Sequence, residues 1–161
     1  MESRAKLFGH PIHQMLVVFP LGVLSMSLVF DLIALLTDRS HLHAAAFSMI
    51  AAGVISGLAA ALFGFIDYLG IPRGTRAKRI GALHGIGNVI VVALFAASWL
   101  LRRDRPANPE VLCIVLSVAA GTLAAITGWL GGELVDRLGV GVDNGANLDA
   151  PSSLRGPVPR T

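Results

Sequence analysis

Charge is scarce in this chain. Only 14% of its 161 residues are Asp, Glu, Lys or Arg, while 54% are hydrophobic. A water-soluble domain carries nearer a quarter charged residues, and one of this length could not hide so much apolar surface, which excludes a freely soluble globular domain. Cysteine is nearly absent as well. Cys113 stands alone inside an apolar run, so there is no internal disulfide and no thiolate metal site, and it reads as a small buried apolar residue. Strand-like alternation of period two is missing, which excludes a transmembrane barrel. Catalytic signatures are missing too: no Ser-His-acid spacing, phosphate-cradling loop, CxxC or HExxH occurs. The glycines of LHGIGN, residues 83–88, lack the strand-then-helix setting of a dinucleotide fingerprint. These absences argue against an enzyme with organic chemistry of its own.

What the sequence has instead is four long apolar runs, at about 14–37, 44–70, 80–101 and 110–136. Each is long enough to cross ~30 Å of hydrocarbon at about 1.5 Å per residue. Short connections make sequence neighbours antiparallel, so the predicted fold is all-α, a polytopic membrane four-helix bundle. A leader, 1–9, precedes the four-span domain, 10–143. The tail, 144–161, is rich in Gly, Asn, Asp, Pro and Ser and reads as disordered. The first run is too long for a signal-peptide core and three more follow it, so it is expected to stay in the mature protein.

The net charge of +3 would suggest nucleic acid, but the basic residues sit in short connections, where they report topology. Arg4, Lys6, Arg73, Arg76, Lys78, Arg79, Arg137, Arg155 and Arg160 fall on the side of the N-terminus; Arg39, Arg102, Arg103 and Arg105 fall on the other. This asymmetry places both termini in the cytoplasm of a bacterial inner membrane. The partners it admits are the lipid bilayer, a further copy of the chain, or a redox or transport subunit, and not nucleic acid.

A faint repeat suggests that a helical hairpin has been duplicated. G-x-x-A-A-x-x-G-aromatic begins at Gly57 and again at Gly121, matching Gly64 to Gly128 and Phe65 to Trp129; His13 and His84 match more weakly. Both hairpins start on the same side, so the repeats are parallel and their pseudo-twofold axis lies along the membrane normal. The small residues read as close helix-packing seams.

The topology brings scattered polar residues to one end. His10 and His13, in HPIHQMLVVFP, enter the first span; Asp67 ends the second; His84 lies a turn inside the third, with Asn88 a turn deeper; Glu133 ends the fourth, on one face with Trp129. Ionisable groups at membrane depth are costly and point to function. Asp31 is the exception. It lies five turns beyond His13, ~27 Å away, near the far end, where it is expected to pair with Arg102 or Arg103.

Three chemistries fit the cluster. His10 or His13 with His84 would ligate haem b iron from opposite helices. His10, His13, His84, Asp67 and Glu133 would bind a divalent metal. His84, Asp67 and Glu133 would form a proton relay or gate in a small transporter. The structural alternative has His10 capping a helix that begins at Pro11, and His84 with Asn88 hydrogen-bonding between helices, as in a purely structural subunit.

Three stretches carry a family resemblance: HPIHQMLVVFPLG, FGFIDYLGIPRGTRAKRIGALHGIGN and TGWLGGELVDRLGVGVD. Together they resemble the bacterial membrane proteins grouped as domain of unknown function 2231, over about residues 9–143. The family's first motif usually reads HPxHP, and Gln14 stands here in place of the second proline. The resemblance implies a four-span inner-membrane protein of unknown activity. It singles out His10, His13, Asp67, His84, Gly128, Trp129 and Glu133.

Overall fold

The computed structural model describes residues 1–155. A two-residue hairpin, β1 (Lys6–Leu7) and β2 (His10–Pro11), leads into five helices: α1 (Ile12–Leu16), α2 (Val18–Thr37), α3 (Ser40–Gly70), α4 (Arg76–Leu101) and α5 (Val111–Gly132). A single π-helical turn, Glu133–Arg137, extends α5. Helices α1 and α2 are one span broken at Val17. Pro20 has no N–H to give the Leu16 carbonyl, and that missing bond falls at the break. Asp38 ends α2 in the left-handed conformation, φ 54°, and the Thr75 hydroxyl caps α4 by accepting from the Lys78 amide. Four helical segments, Ile12–Thr37, Ser40–Gly70, Arg76–Leu101 and Val111–Arg137, are long and apolar enough to cross a membrane.

The surface and interior divide as a membrane solvent requires. Leu32, Leu36, Ile55, Leu62, Val89 and Val111 face outward, while Ser27, Asp31, His43, Ser98, Arg102, Ser117 and Thr127 are buried. Water would reverse that arrangement; lipid favours it, because polar side chains must find partners inside the bundle. The apolar core is small: Leu24, Ile50, Val91, Phe95 and Ala120.

The helices form a ring in which α2 packs on α3, α3 on α4, α4 on α5 and α5 on α2, so α2 and α4 face each other across the bundle axis. Their inward residues match at a single offset: Pro20 with Val91, Leu24 with Phe95, Ser27 with Ser98, Asp31 with Arg102. On α3 and α5, Ala46, Ile50, Gly53 and Ala60 match Cys113, Ser117, Ala120 and Thr127. Two parallel copies of one hairpin related about the bundle axis produce this pattern. The sequence string nevertheless had the wrong register. Burial matches Gly57 to Ala124 and Gly64 to Gly131, one helical turn beyond the expected Gly121 and Gly128.

The leader and the start of the tail hold each other. The Met1 nitrogen donates to the Gly139 carbonyl (2.7 Å), the Gly141 amide donates to the Met1 carbonyl (2.8 Å), and Lys6 bridges Glu2 (2.7 Å) and Asp143 (3.6 Å). The Lys6 hydrogen bond and then the Asn144 amide hold the Glu2 carboxyl below its ordinary range; Lys6 is raised in turn, chiefly by Glu2. The Glu2 contribution is therefore complete above the ordinary glutamate range and fades as pH falls through the lowered value. Residues 144–155 carry turns and a 3-10 turn at Ser153–Arg155, with the Ser153 hydroxyl 3.2 Å from His10 Nε2. The rest of that tail, 156–161, lies outside the described residues.

Candidate functional site

Two imidazoles meet on the bundle axis. His13, in the first turn of α1, donates Nδ1–H to the Ala60 carbonyl of α3 at 2.8 Å. His84 of α4 donates Nδ1–H to the Thr127 carbonyl of α5, also at 2.8 Å. A carbonyl can only accept, so each Nδ1 carries the proton and each neutral ring keeps its lone pair on Nε2. The ring centres are 6.4 Å apart and the planes nearly perpendicular, at 88°.

His13 is held as His84 is, half-buried with a backbone carbonyl of the neighbouring helix as its partner. Its partner Ala60 precedes the end of α3 at Gly70 by about 15 Å of helix, and Thr127 precedes Arg137 by the same length. Glycines make room for both rings. A Cβ on Gly64 would stand 2.9 Å from His13 Cε1 and Nδ1, and one on Gly131 would stand 3.0 Å from His84 Cε1. Asn88 packs beside the second ring: its Nδ2 donates to the His84 backbone carbonyl at 2.9 Å and lies 3.3 Å from His84 Nε2, and its oxygen accepts from the Thr127 hydroxyl at 3.1 Å.

The other expected members of the cluster are engaged elsewhere. Asp67 accepts from the Ser3 hydroxyl (2.7 and 2.8 Å) and from the amides of Arg4 (2.7 Å) and Ala5 (3.2 Å), so it anchors the leader. Glu133 pairs with Arg76 at 2.7 Å. His10 is exposed in β2, and the helix-cap reading fails because α1 starts at Ile12 with no side-chain cap. Trp129 faces outward, 67% exposed. Among the described residues no group of three or more His, Cys, Asp or Glu could hold a metal ion, so the five-residue metal shell read from the sequence is not gathered.

Exchanging Asp67 for Ala removes the acceptor of three donors to the leader. Charge-assisted bonds of this kind contribute about 1.5–3 kcal/mol each, so trypsin is expected to cut after Arg4 and Lys6 at least tenfold faster in Asp67→Ala than in the parent. Equal rates would mean that the Met1–Gly139 and Gly141–Met1 bonds suffice.

A second polar centre fills the opposite end of the axis, and half of it escapes sequence reasoning. The expected Asp31–Arg102 pair forms, at 3.0 and 3.1 Å, with both side chains almost wholly buried. His43, which carried no signal in the sequence, adds Nδ1 at 2.7 Å from Asp31 Oδ1. Its place could have been read from the topology, since it follows Asp31 across the tight turn at Asp38 and Arg39 on an antiparallel helix. The Ser98 hydroxyl donates to the Cys113 carbonyl at 2.7 Å, so Ser117 must donate to Ser98, and both oxygens accept from Arg102 Nη2. Arg102 Nε alone in the guanidinium lacks a partner among the described residues.

No curated protein and no solved structure matches the chain. A family model does, over residues 9–144, and its description is "predicted membrane protein". That span includes α1 to α5 and both axial polar centres. The chain therefore belongs to the membrane-protein family called domain of unknown function 2231.

Proposed function

We propose that this is a bacterial inner-membrane protein, with both termini in the cytoplasm, that binds haem b between His13 and His84. The observation that carries the reading is the ring pair itself: two imidazoles with their Nδ1 protons fixed by helix carbonyls, no partner on His84 Nε2 beyond the long Asn88 contact, and ring centres 6.4 Å apart. Outer partners on Nδ1 are what tune and orient metal-bound histidines. His13 and His84 would hold haem iron through their Nε2 atoms, whereas a free divalent ion would need further donors, and Asp67 and Glu133 are committed to Ser3 and Arg76. Ligation at His84 displaces only the long 3.3 Å contact from Asn88. Bound haem would supply one-electron transfer; the chain's part is to orient the two rings and keep them away from bulk water. The orientation rests on the Lys and Arg asymmetry between the two ends.

The test is an absorption spectrum of detergent-purified protein from haem-supplemented cells, oxidised and then reduced with dithionite. A Soret band that shifts on reduction is expected, lost in His13→Ala and in His84→Ala and retained in His10→Ala. A colourless parent protein, or a band that survives both axial replacements, would overturn the proposal. Elemental analysis of the same sample separates haem iron from a bare ion held by the two rings.

A further inference from the structure

We propose that His43 is a proton-binding site open to the end of the bundle opposite the termini, and that the buried Asp31–Arg102 pair senses its occupancy. This inference does not depend on the reading of His13 and His84. It begins with Arg102, whose guanidinium keeps its charge in any protein environment. Its Nη1 lies 3.1 and 3.0 Å from the two oxygens of Asp31, which fixes that carboxylate as an ionised acceptor. The 2.7 Å contact to His43 then requires the histidine proton on Nδ1. Nε2 of a neutral His43 therefore carries the lone pair.

That nitrogen is reachable. Among the described residues it has no hydrogen-bond partner, yet it is not among the sealed, unpartnered polar atoms, which are Trp99 Nε1 and Arg102 Nε. The side chain is 10% exposed and borders a cavity of about 190 Å³, with Ala34, Leu35, Asp38, Ser40 and Asn108. Asn108 also lines a second cavity of about 280 Å³ beside Arg102, Arg105, Asp104 and Glu110. Two concavities thus flank the triad on the side where α3 begins and α4 ends, the one beside Arg102 lined mainly by polar groups.

The charge balance makes the site responsive. With His43 neutral, Asp31 and Arg102 cancel. A proton on Nε2 gives the triad one net positive charge, and Asp31 must then serve two cations where it served one. The α2 helix brings Asp31, the α2–α3 turn brings Asp38 to the cavity wall, Arg102 follows the end of α4, and the α4–α5 connection brings Asp104 and Arg105 to the neighbouring cavity. The start of α5 brings Glu110 to the neighbouring cavity, and its inward Ser117 and Cys113 carry no charge. The dry interior means that a change of one charge is felt at Arg102 rather than screened by water.

The experiment uses the full chain in nanodiscs, with ¹⁵N-labelled histidine and arginine, followed by NMR from about pH 8 down to about pH 5, where histidine changes charge. One histidine is expected to pass from the Nδ1–H tautomer to the doubly protonated form, and to vanish in His43→Gln, whose amide can still donate to Asp31. The Arg102 guanidinium signals are expected to move with the same midpoint and to stay flat in His43→Gln. Two results would overturn the proposal: a His43 that keeps one tautomer across the range, or a His43 that titrates while Arg102 does not respond. In proteoliposomes, acidifying only the compartment at the Asp38–Asn108 end must reproduce the change; a response confined to the other compartment would equally refute it.

Discussion

Asp31→Asn is expected to be the most damaging single polar replacement in the chain, and more damaging than Arg102→Met. Both break the same pair, whose side chains are 1% and 0% exposed, and breaking a buried pair costs about 3–5 kcal/mol. The two halves differ in what they leave behind. Without Arg102, the carboxylate can take a proton or share the charge of His43, 2.7 Å away. Without the carboxylate, the guanidinium cannot neutralise itself. It is left with neutral acceptors only, the asparagine amide oxygen and the hydroxyls of Ser98 and Ser117, and an Nε–H that already lacks a partner among the described residues. Joint replacement of both residues should recover most of the loss, because a paired deletion strands no charge. Unfolding midpoints in detergent, by heat or by SDS titration, decide the order: Asp31→Asn lowest, Arg102→Met intermediate, the double variant nearest the parent. An Arg102→Met protein as unstable as Asp31→Asn would show that neither a proton on Asp31 nor His43 relieves the carboxylate.

The sequence displayed the solvent of this fold more clearly than its polar sites, for a physical reason. A span must be apolar along its length to sit in lipid, so four helices and their antiparallel order are written in composition alone. Asp31 could be placed with Arg102 because charge is rare and the topology brings both to the same end. The partner of His13 was harder to judge. Nothing in the spacing points to the Ala60 carbonyl, which the ring meets while the leader doubles back through β1 and β2 to bond Asp67. Asp67 and Glu133 looked like members of a site because helix ends gather polar residues whatever their role. Their partners, Ser3 and Arg76, lie in segments without periodicity to place them.

The repeat tests legibility most directly, because its two registers predict opposite results at one glycine. If the string beginning at Gly57 and Gly121 set the structural register, Gly128 would be the twin of Gly64, and alanine at both would press on an imidazole. Burial instead makes Gly131 the twin. A Cβ on Gly128 meets nothing within 4 Å, whereas one on Gly64 or Gly131 meets the His13 or His84 ring at 2.9 or 3.0 Å. Each ring is held by a 2.8 Å bond to a helix carbonyl, so it cannot withdraw without losing that bond. Gly128→Ala should thus be neutral or stabilising by up to about 1 kcal/mol, the ordinary gain of replacing glycine inside a helix. Gly64→Ala and Gly131→Ala should each lose about 1–3 kcal/mol to overpacking. The same detergent melts read all three variants. A Gly128→Ala loss as large as that of Gly64→Ala would return the register to the sequence string and remove the symmetry that brings the two imidazoles to the axis as equivalent partners. Haem titration of the same proteins adds an independent reading: Gly128→Ala should bind as the parent does, while displacement of either ring should weaken binding even where the fold survives.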